Sequence, residues 1–415
     1  GLGLAMSRLT AANGWSWAAI LFLALFLLGL PWTVLGFWNA AIGFVILRLV
    51  EDPLAFTNPA LRATPTYSPI ETRTAICLAV RHEGVATIFA RLETMVEAIA
   101  ASGWADRFAF HVLSDSARPE IAAAEAAAFA DLVERHPAPG FLTYRRRPAN
   151  TGFKAGNLHE FAARAVDDYD HMIVLDADSL MSAASMLRLV RAMQANPRLG
   201  ILQSLVVGHP SDSAFTRVFQ FGMRQSMRTQ TVGSAWWQGP SGPYWGHNAI
   251  IRLKPFVEHC RLPILPGRPP LGGHVLSHDQ VEAAMMRAGG WDVRVIADEL
   301  ESWEENPPSL PDFIKRDLRW CQGNMQYVKL FGRGSKVRLK PMGYYQLVNA
   351  IAMYLGSPFG MAMLGAGLAM ALSHSAGARP FPAHLAFELY FVMMAIGFAP
   401  RILGALDILL KGEAA

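Results

Sequence analysis

Cysteine is scarce in this chain, and the scarcity narrows its chemistry. Cys77, Cys260 and Cys321 are the only three in 415 residues. They lie far apart, forming neither a paired framework nor a metal-ligand spacing, as suits a reducing compartment. All three read as small core residues. Charge is scarce as well: charged residues make up 17% of the chain and the net charge is +4. No dense array of Lys, Arg and aromatic residues is present, which excludes a nucleic-acid partner. There is no internal repeat, no low-complexity tract beyond an alanine bias, and no small-residue cleavage site after the first apolar run, so no cleavable signal peptide is expected. Apolar surface takes the place of charge. Hydrophobic residues make up 52% and the mean hydropathy is +0.23, too apolar for an ordinary soluble enzyme. Membrane spans are the expected cause, and the length allows two or three domains.

Two apolar runs, Trp15 to Leu30 and Trp32 to Val50, meet at Pro31, each near the lower limit of about 17 residues for a bilayer crossing. A tight helical hairpin is expected, because proline breaks the hydrogen-bond ladder and Trp32 suits an interface; one long kinked helix is the alternative. On the hairpin reading Arg8, Arg48, Arg62 and Arg73 share one side, which the positive-inside rule makes cytoplasmic. The proline-rich Glu51 to Ile70 reads as a linker. Further on, Phe215 to Arg228 and Ser309 to Phe331 are amphipathic, with Phe215, Val218, Phe219 and Met223 on one face of the first and Phe313, Ile314, Leu318 and Met325 along the second. They are expected at the membrane surface, with packing on the α/β domain as the alternative. The basic set Lys329, Arg333, Lys336, Arg338 and Lys340 reads as a cytoplasmic retention signal. Tyr345 to Leu372 is long enough to span, bent near Pro358; Ser373 to His384 is a short external loop; Leu385 to Ala399 returns, closed by Pro400 and Arg401. Ile402 to Leu410 is too short to cross, and is expected to lie in the interface or to begin something longer.

Between these runs the chain changes character. Thr74 to Val80, Phe108 to Leu113, Phe141 to Arg145 and His171 to Asp176 read as strands, and Ala86 to Ala101, Ile121 to His136 and Ala183 to Asn196 as helices. Strands alternating with helices predict an α/β fold with a mostly parallel sheet covered on both faces. The expected domains are 1–50, a transmembrane hairpin; 51–70, a linker; 71–305, the α/β domain; 306–340, interface helices with a basic segment; and 341–415, C-terminal transmembrane helices.

Chemistry enters at the end of one buried strand, where Asp176 and Asp178 stand two apart. That spacing aims both carboxylates one way at the carboxyl end of the strand, where open α/β sheets bind ligands. A divalent cation bridging to a diphosphate suits two hard oxygen donors. Alone, such a pair is more often a solvated turn. Other strand ends supply company: Glu83 after the first strand, Asp115 after the second, Lys154 and Asn157 in a glycine-containing turn, then Asp279, Arg319 and Trp320. Acids could hold a base and ribose, a lysine and an arginine could neutralise a leaving diphosphate, an isolated carboxylate could take a proton, and an indole could stack on a sugar ring.

The series Glu83, Asp115, Asp176-x-Asp178, Asp279, Arg319-Trp320 resembles the processive, membrane-embedded glycosyltransferase family 2 enzymes, the class of cellulose and hyaluronan synthases. The phrases VLSDS, YRRR, VLDADSLMS, YWGHNAIIR, LGGHVLSHD and PPSLPDFIKRDLRWCQGN are similar to those of the glucans biosynthesis glucosyltransferase H family, from about residue 70 onward. That resemblance implies a cytoplasmic glycosyltransferase A-type domain between transmembrane helices, in the bacterial inner membrane, with more spans than are counted here. It also implies that UDP-glucose is polymerised into the linear β-1,2-glucan backbone of osmoregulated periplasmic glucans. Glu83 and Asp115 would contact the uridine, Lys154 the diphosphate, and Asp176 and Asp178 the UDP with its Mg²⁺ or Mn²⁺. Asp279 would be the general base, Arg319 would assist the departing diphosphate, and Trp320 would form the acceptor floor, with His278, Tyr244 and Trp245 on the acceptor side. Implied partners are UDP-glucose, the growing glucan chain, the lipid bilayer, acyl carrier protein and a periplasmic glucan-processing protein. Arg316 stands where the broader family has the glutamine of Gln-x-x-Arg-Trp, and Ser277-His278-Asp279 replaces Thr-Glu-Asp. Another β-glucan or amino-sugar polymer synthase is the alternative enzyme. An inactive nucleotide-sugar-binding regulator or a transporter is the alternative of another class; the first needs no base at Asp279, and the second needs no cytoplasmic α/β domain with a metal-diphosphate constellation.

Overall fold

A computed structural model describes residues 1–62, 64, 67–331, 337–373 and 381–411. The chain divides into two units. One is Glu51–Arg224 with Ala235–Leu347; the other is Gly1–Val50, Gln225–Ser234 and Val348–Ala415.

The first unit is built on a sheet of eight strands. In chain order these are β1 (Thr74–Val80), β2 (Phe108–Ser114), β3 (Leu142–Arg146), β4 (His171–Asp176), β5 (Leu180–Met181), β6 (Leu199–Gly208), β7 (Ala249–Arg252) and β10 (Asp292–Glu304), while β8 (Ile264–Leu265) and β9 (Gly273–His274) form a separate pair. The order is β3-β2-β1-β4-β7-β6-β10-β5. Only β7 and β5 run against the rest. The sheet is therefore mostly parallel, as the alternation of strands and helices predicts.

Period-two alternation gives each strand two buried faces. Ile76, Leu78 and Val80 of β1 pack with Phe110, Leu92 and Leu189 on one side. Ala75 and Cys77 face Leu158, Phe161 and Phe256 on the other. Burial on both sides explains why these strands read as apolar runs. Register then collects the strand ends: Val80 pairs with Ser114, Ser114 with Arg146 and Ala79 with Asp176. The carboxyl ends of four strands thus meet on one edge, each followed by a loop carrying polar residues. Cys77 and Cys260 are buried, as expected, whereas Cys321 is only half-buried.

The expected linker has structure. Short helices Pro53–Thr57 and Pro59–Arg62 flank Asn58, whose amide donates to the Val295 carbonyl at 3.2 Å. The helices Ala214–Gln238 and Leu310–Met325 exist where amphipathic stretches were expected, and the first runs ten residues further. Their apolar faces are split. Phe219 packs on Phe215 and Phe313 at 6.3 and 5.3 Å between ring centroids, while Val218, Phe221, Ile314 and Leu318 stay exposed. Arg333 and Lys336 of the basic set lie outside the described residues.

In the second unit the hairpin expectation fails. Trp17–Leu49 is one helix of 33 residues that passes straight through Pro31. Proline costs one ladder bond, and a long apolar helix tolerates that loss where it is flanked by unbroken apolar sequence on both sides. The expected closure at Pro400 and Arg401 fails in the same way, since Ala383–Lys411 continues through Pro400 and takes in Ile402 to Leu410. With Pro341–Ser373, three helices among the described residues are long and apolar enough to cross a membrane. Most of the expected external loop, residues 374–380, lies outside the described residues.

These helices pack through glycine. A Cβ on Gly43 would strike the Thr229 carbonyl, one on Gly233 the Asn39 carbonyl, and one on Gly404 the Gln225 carbonyl. Small residues allow such backbone approach where lipid supplies no hydrophobic drive between helices. Buried beside this seam, Asp407 pairs with Arg48 and, at 3.3 Å, with Arg228. At the other end Met6 and Leu9 of the Leu2–Ala11 helix cluster with Phe26 and Leu389.

Candidate active site

The strand ends supply most of the expected residues. Asp176 closes β4 and is half-buried. Its carboxylate pairs with the ammonium of Lys154, which opens the Phe153–Ala165 helix and also donates to the Gly246 carbonyl at 2.7 Å. Burial pushes the Asp176 pKa up, but Lys154 and His247 outweigh it and hold the carboxyl below its ordinary value. Asp178 is the reverse case. Burial first, then the charges of Asp176 and Glu304, push it up to about 6. Crowding of like charges raises the pKa of the less well-paired carboxyl, and a cation bound between them would relieve it.

Two residues that spacing did not reveal belong to this cluster. Glu304 ends β10, and its Oε2 lies 3.3 Å from Nε2 of His247. The turn that carries His247 is fixed from below. Gln203 accepts from the Trp245 N–H at 2.8 Å and donates to the His247 carbonyl at 2.9 Å. Asn248, fully buried at φ +49°, donates to Ser302 at 2.8 Å. Asp176 and Glu304 both act on Asp178, and His247 acts on both aspartates; carboxylate oxygen and imidazole nitrogen are donor types that divalent cations accept.

Across the same turn stands Asp279. Gly246 has φ +85°, and a Cβ added there would sit 3.4 Å from the Asp279 Cβ. Only a glycine lets the turn pass so close in that left-handed conformation. Asp279 is the first residue of the Asp279–Ala288 helix; His278 holds the cap position and makes no side-chain capping bond. Burial raises the Asp279 pKa, opposed chiefly by the charge of His278.

Other expected contacts are differently placed. Asp115 is held by Arg147, which donates to its two oxygens at 2.7 and 2.8 Å, both side chains being buried. Arg147 also donates to the carbonyls of Thr151 and Phe153 at 3.0 and 3.1 Å, so the pair builds the turn ahead of Lys154. Tyr244 is 1% exposed in the hydrophobic core with its hydroxyl unpartnered, which removes it from the acceptor side. His278 is buried and its Nδ1 donates to Glu282 at 2.8 Å. Glu83 is exposed and receives the Arg81 N–H; loss of solvation in the cleft, with the Asp176 and Glu125 charges, raises its pKa.

Glu125 was hidden among the alanines of the Pro119–Arg135 helix. It is fully buried and accepts from Ser114, Ser116 and Tyr144 at 2.6, 2.6 and 3.0 Å, bracing the loop after β2. Arg319 and Trp320 lie on the Leu310–Met325 helix, both exposed. Arg316, one turn earlier, stacks its guanidinium 4.6 Å over the Trp320 ring. It lies in the field of Glu304 and Asp178, with its Nε buried and unpartnered. A cavity of about 480 Å³ flanks the Lys154 helix on its other side, lined by Arg147, Gly152, His159, Arg261 and His274.

A mostly parallel sheet whose strand ends gather paired carboxylates, a lysine and a separate later acid defines an α/β transferase domain of the glycosyltransferase kind. Residues 171–402 match the family described as Glycosyl transferase family group 2, and residues 82–259 match Glycosyl transferase family 2. The chain belongs to this family. It is 37% identical over 405 residues to a glucans biosynthesis glucosyltransferase H of Vibrio cholerae, covering 94% of this chain and 54% of the relative. To the glucans biosynthesis glucosyltransferase H of Bradyrhizobium diazoefficiens it is 39% identical over 371 residues, 89% of this chain and 48% of the relative. The chain thus spans about half the length of the curated relatives it matches. Among solved structures it is similar to the mannosyltransferase PcManGT from Pyrobaculum calidifontis in complex with GDP-Man and Mn²⁺, at 19% identity and a TM-score of 0.46, over 90% of this chain and 99% of that one.

Proposed function

We propose that this chain is the catalytic part of a membrane-embedded, inverting glucosyltransferase that polymerises glucose from UDP-glucose into a linear β-1,2-glucan and passes it across the bacterial inner membrane. The observation that carries the reading is the opposition of Lys154 and Asp279 across Gly246, beside a family assignment and glucosyltransferase H relatives. Acyl carrier protein and a periplasmic glucan-processing protein are the proposed partners.

The donor diphosphate is held near Lys154 and the arginines Arg316 and Arg319. Asp178, with Asp176, Glu304 and His247, would hold Mg²⁺ or Mn²⁺, which supplies charge neutralisation to the leaving diphosphate. Glu83 and the loop braced by Glu125 border the nucleoside end, and Asp115 acts through Arg147 on the Lys154 turn. On the other side, Trp320 offers a flat face to the acceptor sugar. Asp279 removes the proton of the acceptor hydroxyl as its oxygen attacks the anomeric carbon; the bond to the diphosphate oxygen breaks, UDP leaves and the configuration inverts. The helix N-terminus beneath Asp279 favours its ionised form.

The experiment is release of UDP from UDP-glucose by purified protein in lipid, with linkage analysis of the product. Glucan of β-1,2 linkage is expected, lost in Asp279→Asn. A different polymer would replace the substrate assignment, and UDP binding without transfer would replace the enzyme reading.

A further inference from the structure

Behind Asp279 lies a chain of ionisable groups that the transfer step does not use. Glu282, 1% exposed, sits one turn along the helix that Asp279 opens. Its Oε2 accepts from His278 Nδ1 at 2.8 Å and its Oε1 from His159 Nε2 at 3.0 Å. His159 belongs to the Phe153–Ala165 helix, whose second residue is Lys154, and its ring stacks on Phe256 at 4.4 Å between centroids and 15° between planes. One carboxylate therefore joins the helix of the base to the helix of the donor lysine.

An ionised carboxylate buried this deeply is costly unless hydrogen-bonded on both oxygens, and a packed apolar residue would give comparable stability. What an apolar residue could not do is fix two imidazoles at once. The backbone before Asp279 is fixed independently: Gln326 accepts from the Leu276 N–H at 2.9 Å and donates to the His274 carbonyl at 3.1 Å, and Tyr327 donates to the Ser277 carbonyl at 2.8 Å. His278 is left as the point whose orientation depends on Glu282.

We propose that Glu282 is a positioning residue for glycosyl transfer, clamping His278 and His159 so that the Asp279 end of one helix and the Lys154 end of another are held in register. The charges agree. Burial works against it, yet the two imidazoles bring Glu282 down to about 2, and Glu282 in turn outweighs burial to raise His278. A cationic His278 is then the main group keeping Asp279 ionised against its own burial.

The inference rests on Asp279 being the base, and the test separates the two. In purified full chain, UDP affinity in the presence of Mn²⁺, transfer rate against pH and thermal unfolding are measured for Glu282→Gln, Glu282→Asp and Asp279→Asn. Glu282→Gln is expected to keep UDP affinity within about twofold, to lower transfer by about 10- to 100-fold, and to move the acid limb of the rate profile to higher pH. The sign follows from His278, which loses its anionic partner and with it the charge that supports Asp279; loss of Glu282's own charge acts oppositely but is the smaller influence. Glu282→Asp, which keeps the charge, is expected to return the limb towards its original position. Unchanged transfer and an unchanged limb in Glu282→Gln overturn the inference, as does a loss of rate that merely follows a loss of folded protein. If Glu282→Gln does not fold, His159→Gln breaks one arm only, and wild-type transfer in that variant overturns the inference. Full activity in Asp279→Asn overturns the base reading itself.

Discussion

Lys154 donates to the Gly246 carbonyl at 2.7 Å and pairs with Asp176, so a single ammonium ties the end of β4 to the turn that Asp279 lines on its other side. A cation shared between a carboxylate and a carbonyl is held ready for a third, anionic partner. Lys154→Met is expected to weaken UDP binding by about tenfold and transfer by about 10²-fold. Titration with UDP and a single-turnover assay check it; unchanged UDP affinity would take Lys154 out of the donor site.

Cation binding should be tied to protons. The Asp178 carboxyl is pushed up to about 6 in the folded chain, against about 3.9 unfolded. Without a cation, its ionisation therefore erodes stability as pH rises from about 4 through 6; a bound cation reverses that. Mn²⁺ uptake is expected to release a proton near pH 6 and almost none at pH 8, and to raise the unfolding temperature more at pH 7.5 than at pH 5. Calorimetry in two buffers of different ionisation heat measures the release. Asp178→Asn should lose both effects, and proton release independent of pH would contradict the assignment.

Trp320 is 47% exposed, stacked only under Arg316 in the described contacts. Trp320→Ala is thus expected to change stability by no more than about 1 kcal/mol. Transfer should fall by about tenfold or more with UDP affinity kept. Loss of UDP affinity instead would show that the indole's task is to hold Arg316 at the donor.

Crossing once, Trp17–Leu49 would put Ala12 and Arg48 on opposite sides of a membrane, where the hairpin puts them on one side. The Leu2–Ala11 helix and Leu389 pack at one end of the bundle, and Arg48 and Asp407 at the other. Ala12→Cys and His384→Cys are expected to react with an impermeant maleimide on intact cells, and Glu258→Cys only after permeabilisation. Protection of Ala12→Cys would restore the hairpin.

The α/β elements were legible because parallel strands buried on both faces are apolar runs, as in Thr74–Val80 and His171–Asp176. Pro31 misled because its meaning depends on what surrounds the helix, which the local sequence does not carry. The strand-end acids were also legible, but their partners were not. Arg147 meets Asp115 across 32 positions, and Glu282 meets His159 across 123; such contacts are products of the fold and leave no spacing to read. Tyr244 shows the finer limit. It and Trp245 are neighbours, and consecutive side chains of an extended segment face opposite ways, so one enters the core while the other does not.

The glycine seam of the long apolar helices limits how this protein can vary. At Gly43, Gly233 and Gly404 one helix backbone lies against another with room only for hydrogen, whereas Leu28, Leu364 and Leu409 point outward and touch little. A scan of every substitution should therefore invert the usual expectation for an apolar bundle: the large hydrophobic positions would accept most apolar residues, and the three smallest would accept none, not even alanine.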